Sequence, residues 1–352
     1  MKDFFKTQGQ ALADFSRMSR QAGSRADYVQ GGGGNTSVKL DKGLMAIKAS
    51  GYHLMDVLPD GGYAVLDGRK LREFYTNSQQ GDYPDVEQAG AQRAKELTLE
   101  IPGLKPLRPS VEAGFHSLLS RFVCHSHSVY GNLAACCQEA ERETAAALKD
   151  APYSWALVPY VNPGARLTFE IRDILEDVRK KTGRTPAILL MRSHGLIAHA
   201  DTADECLRLH EDANARFQRH FGVSADHFPK AQIRREGQGL VSGTPWLWER
   251  LRGEAHPDSA LLDEPLYPDQ MVFFQGTLGK DALIDRQSGQ VAYGALPEKT
   301  AQTLEETLVA VAFIRETLLR HGLTPISMGE AARQFISGWE SEKYRKSLTG
   351  GA

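Results

Sequence analysis

The chain has 352 residues, 41% of them hydrophobic, enough for one large or two ordinary domains with a sizeable core. Its 42 basic and 44 acidic side chains are intermixed and leave a formal charge of -2, which gives no long-range pull toward nucleic acid or anionic lipid. The start, MKDFFKTQGQ, lacks an apolar targeting core, and no apolar run approaches the roughly eighteen residues of a bilayer span, so a soluble cytoplasmic protein with no membrane partner is expected.

Taken in order, the pattern predicts an amphipathic helix from about Phe5 to Gln21, then a break in regular structure over Gly31-Gly-Gly-Gly-Asn-Thr-Ser37. Short strands are expected at Val38–Leu40 and Met45–Ala49, ending at Ser50-Gly51, and a helix at Pro84–Leu99. Ser110 suits the N-cap of a helix running to about Arg121. Strand Phe122–His125 and helix Val129–Leu148 follow, then strand Trp155–Tyr160 and the turn Asn162-Pro163-Gly164. Helix Leu167–Lys181, strand Ala187–Arg192 and helix Thr202–Phe221 continue the alternation, which implies a sheet covered by helices on both faces. Cys124, Cys136, Cys137 and Cys206 form no CxxC pair, so they read as small buried hydrophobes rather than disulfides or a thiolate zinc cage.

Beyond about Ser224 the character changes. A hairpin is expected at Ala282–Asp285 and Gln290–Tyr293, followed by helices at about Thr300–Arg320 and Met328–Tyr344. Trp246, Trp248, Phe273, Phe274 and Trp339 are too many large apolar side chains for a free linker, so this region is expected to be ordered and to dock on the rest, with an independent small domain as the alternative. Residues 1–223 and 224–352 are the expected divisions, the second of unassigned role.

Cys124-His125-Ser126-His127 carries the chemistry. In a strand, alternate side chains share a face, so His125 and His127 point the same way and can grip one metal ion. An HxH pair alone means little among eleven histidines. His194, at the end of the apolar strand Ala187–Met191 and just before Gly195, supplies a third imidazole, matching zinc sites that keep one position open. Glu112, thirteen residues before His125, is the candidate acid/base, against the plainer reading that it serves the dipole of a helix capped by Ser110. Gly33-Gly34-Asn35-Thr36-Ser37 offers backbone N–H groups and short polar side chains suited to an anion such as phosphate, as do Ser50-Gly51 and Ser110. The loop is neither GxGxxG nor a Walker loop, so a nucleotide is not expected.

Six ordered motifs, Gly34-Asn35-Thr36-Ser37, Ile47-Lys-Ala-Ser50-Gly51, Pro109-Ser-Val-Glu112, His125-Ser-His127, Val158-Pro-Tyr-Val-Asn-Pro-Gly164 and His194-Gly-Leu-Ile197, together resemble the class II aldolase/adducin family over about residues 5–221. That family includes fuculose- and rhamnulose-phosphate aldolases, ribulose-phosphate 4-epimerase and methylthioribulose-phosphate dehydratase. The resemblance implies a three-layer α/β/α fold with a mainly antiparallel sheet, here with a C-terminal α+β extension. It also implies a divalent metal, usually zinc, and a homotetramer with active sites at subunit interfaces. Carried over by position, His125, His127 and His194 are metal ligands and Glu112 the acid/base, while Asn35, Ser50, Gly51 and Ser110 match phosphate-binding positions.

The implied reaction is cleavage of a ketose 1-phosphate to dihydroxyacetone phosphate and an aldehyde, with Tyr153 or Tyr160 as candidates to assist the leaving aldehyde. Where the family usually has Ser-Ser-Glu this chain has Ser110-Val111-Glu112, one hydroxyl fewer for a phosphate. The first part is also similar to the aldolase half of bifunctional aldolase/dehydrogenase proteins, but no dinucleotide-binding half is present in this sequence. Two other readings share the residues: epimerisation, dehydration or decarboxylation at the same site, and a non-catalytic adducin-like scaffold. Glutamate at position 112, where the epimerases resemble each other in having aspartate, favours an aldolase over an epimerase but leaves a dehydratase open, and a scaffold has no need of three histidines and a carboxylate.

Overall fold

The computed structural model describes residues 4–253 and 258–336. Eight strands build the main sheet: β1 (Asn35–Lys39), β2 (Leu44–Lys48), β3 (Tyr63–Asp67), β4 (Thr98–Leu99), β5 (Phe122–Ser126), β6 (Trp155–Val158), β7 (Ile188–Met191) and β8 (Gly195–Ala200). Their spatial order is β4-β3-β2-β1-β5-β8-β7-β6, and neighbours are antiparallel except β6 with β7. The helices are α1 (Phe4–Gly23), α2 (Gly68–Asn77), α3 (Val86–Glu96), α4 (Ala113–Leu118), α5 (Val129–Ala135), α6 (Ala140–Ala147), α7 (Ala165–Thr182) and α8 (Ala203–His220).

The period of two along each strand divides the core into two layers of side chains. Val38, Ala46, Cys124 and Ala198 pack with Phe15 of α1, Leu133 of α5 and Phe217 of α8. Met45 and Ile47 face Leu71, Val86 and Phe169 on α2, α3 and α7, and Val123 and Ile197 face Phe115 of α4 and Ile171 of α7. The result is the expected α/β/α arrangement with a mainly antiparallel sheet. Leu12, Phe15, Met18 and Ala22 explain α1: they recur at helical spacing and are buried. All four cysteines are free and buried.

The remaining residues add a second antiparallel sheet, β9 (Ile233–Glu236), β10 (Gly239–Ser242), β11 (Leu283–Ile284) and β12 (Val291–Gly294), ordered β11-β12-β10-β9. Helices α9 (Pro245–Leu251), α10 (Asp258–Leu262), α11 (Pro268–Phe274) and α12 (Glu298–Arg320) accompany it, and residues 330–336 are helical. The expected hairpin is β11 and β12. Leu304, Leu308, Val311, Ile314 and Leu318 of α12 belong to the same hydrophobic cluster as Phe15 and Leu133, and Phe273 and Phe274 lie in it too. Trp339, and the expected final helix beyond 336 toward Tyr344, lie outside the described residues. Among the described residues no helix is long and apolar enough to cross a membrane.

Three local expectations change. Asn35, Thr36 and Ser37 are not loop but the buried first half of β1, paired with His125, Cys124 and Val123, so the anion-binding amides of this segment shrink to the glycines before them. The helix expected at Val129–Leu148 is two, α5 and α6. The break falls where Ile326 N–H donates to Cys136 O and Gln138 N–H donates to Thr324 O, so a distant segment captures backbone groups that a continuous helix would use. The helix expected from Ser110 shortens to α4, with Glu112 at its N-cap and making no capping hydrogen bond.

One buried carboxyl is held by hydroxyl groups. Glu305 of α12 is fully buried and accepts from the Ser242 hydroxyl at 2.7 Å and from the Tyr293 hydroxyl. Burial raises its pKa, against the hydrogen bonds that lower it. The unfolded chain therefore gives up this proton at lower pH than the folded one. Stability is full below the ordinary glutamate pKa and is lost as pH rises through the raised one. Glu305→Gln should flatten that loss, and ~1 kcal/mol regained at neutral pH would raise the melting midpoint by about 2–4 °C. Thermal melts of both proteins between pH 4 and pH 8 check this; an unchanged pH slope contradicts it.

Candidate metal centre

Strand β5 sets the geometry. His125 lies on the face of Val123, while Ser126 and Ser128 turn to the other side, where the Ser126 hydroxyl is 2.7 Å from His210 Nε2 and the Ser128 hydroxyl donates to Asn214 Oδ1 of α8. Both faces of the strand are thereby engaged, which fixes its register. The third imidazole, His194, stands in the tight turn between β7 and β8. Ser193 before it takes a left-handed φ of 49°, and Gly195 after it admits no side chain. A Cβ at Gly195 would stand 2.3 Å from Ser126 O and 3.2 Å from His125 Cε1. The His-Gly pair thus presents one imidazole and lets two others approach.

The three rings have centroids 4.9, 5.0 and 5.2 Å apart. His125 Nε2 and His127 Nε2 are 3.2 Å apart. Two nitrogens each about 2.0–2.1 Å from a tetrahedral ion would stand about 3.4 Å apart, so the spacing fits a shared cation. The three donor atoms lie within 4.8 Å of one another, and all three residues are buried. Glu112 Oε1 is 3.2 Å from His194 Nε2 and 3.5 Å from His125 Nε2. The chemistry of the set agrees: His125 Nδ1 lies 3.1 Å from Leu196 O, which can only accept, so Nδ1 carries the proton and the inward Nε2 keeps its lone pair. His194 Nδ1 has no hydrogen-bond partner. The residues present therefore fit a divalent metal.

Burial lowers His194 to about 4, against the opposite pull of Glu112, so this imidazole is neutral and able to ligate at neutral pH. Burial opposes ionisation of Glu112, but the neighbouring imidazoles outweigh it and hold the carboxyl well below the usual range. Its second oxygen, Oε2, accepts from Asn35 Nδ2 at 3.4 Å. Glu112 N–H lies 3.3 Å from the Ser110 hydroxyl, an arrangement that turns the carboxylate from the helix end toward the histidines.

The centre opens into a cavity of about 580 Å³ bordered by Asn35, Ser50, Gly51, Ser110, Glu112 and His127, with His194 also on its wall. All four expected phosphate-binding positions thus reach one space. A larger cavity, of about 710 Å³, lies beyond the 105–111 loop and shares only Ser110 and Val111 with it. Tyr153 and Tyr160 do not line the site: Tyr153 donates to Asp212 at 2.8 Å, and Tyr160 packs against Met271, Met328 and Ile336. Tyr52 lines it instead.

Four further contributors escape sequence reading. Lys48, 3% exposed, donates to Gly32 O at 3.2 Å and Tyr52 O at 2.7 Å and brings a positive charge to the cavity; its place beside Ser50 in one motif was the available signal. Asp269 of α11 accepts from His127 Nδ1 at 2.6 Å. Burial lowers the His127 pKa, but the Asp269 carboxylate overcomes this and raises it. Phe273 and Thr303 add C-terminal walls to the cavity. Nothing local in the sequence marks these last three.

The chain is 26% identical over 205 residues to the fluorothreonine transaldolase of Streptantibioticus cattleyicolor, a match taking in 57% of this chain and 24% of that protein. The chain thus spans about a quarter of the length of that curated relative. Among solved structures, the N-terminal class II aldolase domain of a conserved protein from Thermoplasma acidophilum shares 23% identity at a TM-score of 0.48, covering 58% of this chain and 91% of that one. An L-fuculose 1-phosphate aldolase shares 16% identity at a TM-score of 0.40, covering 60% and 84%. The family model described as the class II aldolase and adducin N-terminal domain matches residues 13–219, a span that holds Asn35, Glu112 and all three histidines of the centre. This chain belongs to the class II aldolase and adducin family.

Proposed function

We propose that the protein is a metal-dependent aldolase that cleaves a ketose 1-phosphate to dihydroxyacetone phosphate and an aldehyde. The observation that carries the reading is the convergence of three buried imidazoles, two of them within 3.5 Å of the Glu112 carboxylate, at the wall of a cavity. His125, His127 and His194 would hold the ion, for which neutral imidazole donors favour zinc. When bound, it would supply Lewis-acid polarisation of the substrate's carbonyl and adjacent hydroxyl oxygens. Glu112, ionised at rest, would take up the proton released from the C4 hydroxyl as the C3–C4 bond breaks and return it to the electron-rich carbon left at C3. Asn35, Ser50, Gly51 and Ser110 would receive the phosphate, and Lys48 would offset the hydroxyl missing at Val111. The assembly is proposed to be a homotetramer, which light scattering would measure.

A screen of ketose 1-phosphates, coupled to detection of dihydroxyacetone phosphate, tests the reaction. Turnover of a sugar phosphate without that product would instead favour epimerisation, dehydration or decarboxylation. His127→Ala should lose metal and activity together while the fold survives, because a catalytic metal need not carry folding energy. Metal analysis and circular dichroism of that variant decide the point, and full occupancy would remove His127 from the ligands.

A further inference from the structure

We infer that Asp269 is a positioning residue of the metal centre: its carboxylate fixes the tautomer and ring orientation of His127, so the C-terminal part of the chain completes a site whose ligands lie elsewhere. The inference rests on reading the three histidines as metal ligands. A carboxylate can only accept, so the 2.6 Å contact places the proton on His127 Nδ1 and leaves Nε2, 3.2 Å from His125 Nε2, with its lone pair toward the centre. His125 gets the same service from the Leu196 carbonyl, but among the three only His127 has a carboxylate behind it.

The arrangement is built rather than incidental. An aspartate in the first turn of a helix is ordinarily explained by the dipole at a wet surface. Asp269 is only 4% exposed, and a buried carboxylate is costly unless paired, so the imidazole is what accounts for it. The glycine-rich loop yields to the pair: a Cβ at Gly33 would stand 2.4 Å from Asp269 Oδ2 and 2.9 Å from His127 Nδ1. On either side of Asp269 the segment is tied down. The Tyr267 hydroxyl donates to Gln30 Oε1 at 3.1 Å, and Gln270 accepts from Leu266 N–H at 3.0 Å and donates to Leu261 O at 2.6 Å. The carboxylate therefore reaches the imidazole from a fixed backbone.

The test is metal affinity, read on full-length wild type, Asp269→Ala and Asp269→Asn. Each is stripped with chelator, checked by circular dichroism, then titrated with Zn²⁺ against a chromogenic chelator and with Co²⁺ by visible absorption. Asp269→Ala should bind Zn²⁺ about 10–100-fold more weakly, with an altered Co²⁺ spectrum. Asp269→Asn, whose carbonyl still accepts from Nδ1–H, should fall between the two. A purely structural role would lower the melting temperature but leave the folded protein's affinity and the Co²⁺ spectrum unchanged. Wild-type affinity in a folded Asp269→Ala overturns the inference alone, and if alanine does not fold, wild-type affinity in Asp269→Asn does so. Wild type that binds neither ion overturns the reading of the histidines, and this inference with it.

Discussion

Glu112→Gln is expected to lower turnover by about 10²–10⁴-fold, the usual range for losing a proton-transferring group, while metal content stays at the wild-type level. Three imidazoles would suffice as ligands by themselves, and glutamine keeps the volume and one acceptor beside Asn35 Nδ2, so neither packing nor metal binding should fail. What disappears is the ability to carry a proton. The competing account, that Glu112 merely stabilises α4, is weak in the structure because its side chain makes no capping hydrogen bond and points instead at His125 and His194. Metal analysis and steady-state rates on any ketose 1-phosphate the wild type turns over would decide, and undiminished turnover would return Glu112 to a structural role.

Ending the chain after residue 223 is expected to give an aggregated, inactive product. The cut removes Leu304, Leu308, Val311, Ile314 and Leu318, which share one core with α1, α5 and α8. At about 1.5–3 kcal/mol for each fully buried aliphatic side chain, these five represent about 8–15 kcal/mol, as much as the net stability of a typical domain. The apolar surface they cover would face water, and Asp269 would be gone from behind His127. Residues 224–336 thus act, on this proposal, as part of the catalytic unit rather than as an accessory. A soluble, active fragment with the oligomer size of the full chain, by light scattering and the coupled assay, would contradict this.

What could be read in advance was what repeats locally or sits in short order. Helices α1, α7, α8 and α12 carry apolar positions at helical spacing, and each was expected within a few residues of its bounds. The histidines were legible from the HxH spacing at the end of an apolar run, although β5 itself stops at Ser126 one residue before His127, and from the glycine that follows His194. Strand β8 was missed because its turn, Arg192-Ser193-His194, bends through a left-handed serine and offers no glycine or asparagine signal before the strand begins. Strand β3, Tyr63-Ala-Val-Leu-Asp67, and helix α2 also lie outside the expected elements. The α5/α6 break was invisible for another reason: Cys136–Glu139 contains neither glycine nor proline, and its partners lie at residues 324–326. Asp269 was hidden in the same way, its meaning supplied by a contact that no window of sequence spans.

That contact joins positions 142 residues apart in the chain. At about 5–20 residues per second, a ribosome delivers Asp269 about 7–28 s after His127. Every nascent copy therefore carries His127 without its Asp269 partner for that interval, and all three histidines without it while the 75 residues from His194 to Asp269 are made. The centre reaches its final form only when synthesis has passed α11, so its completion is timed by translation of the chain's last third.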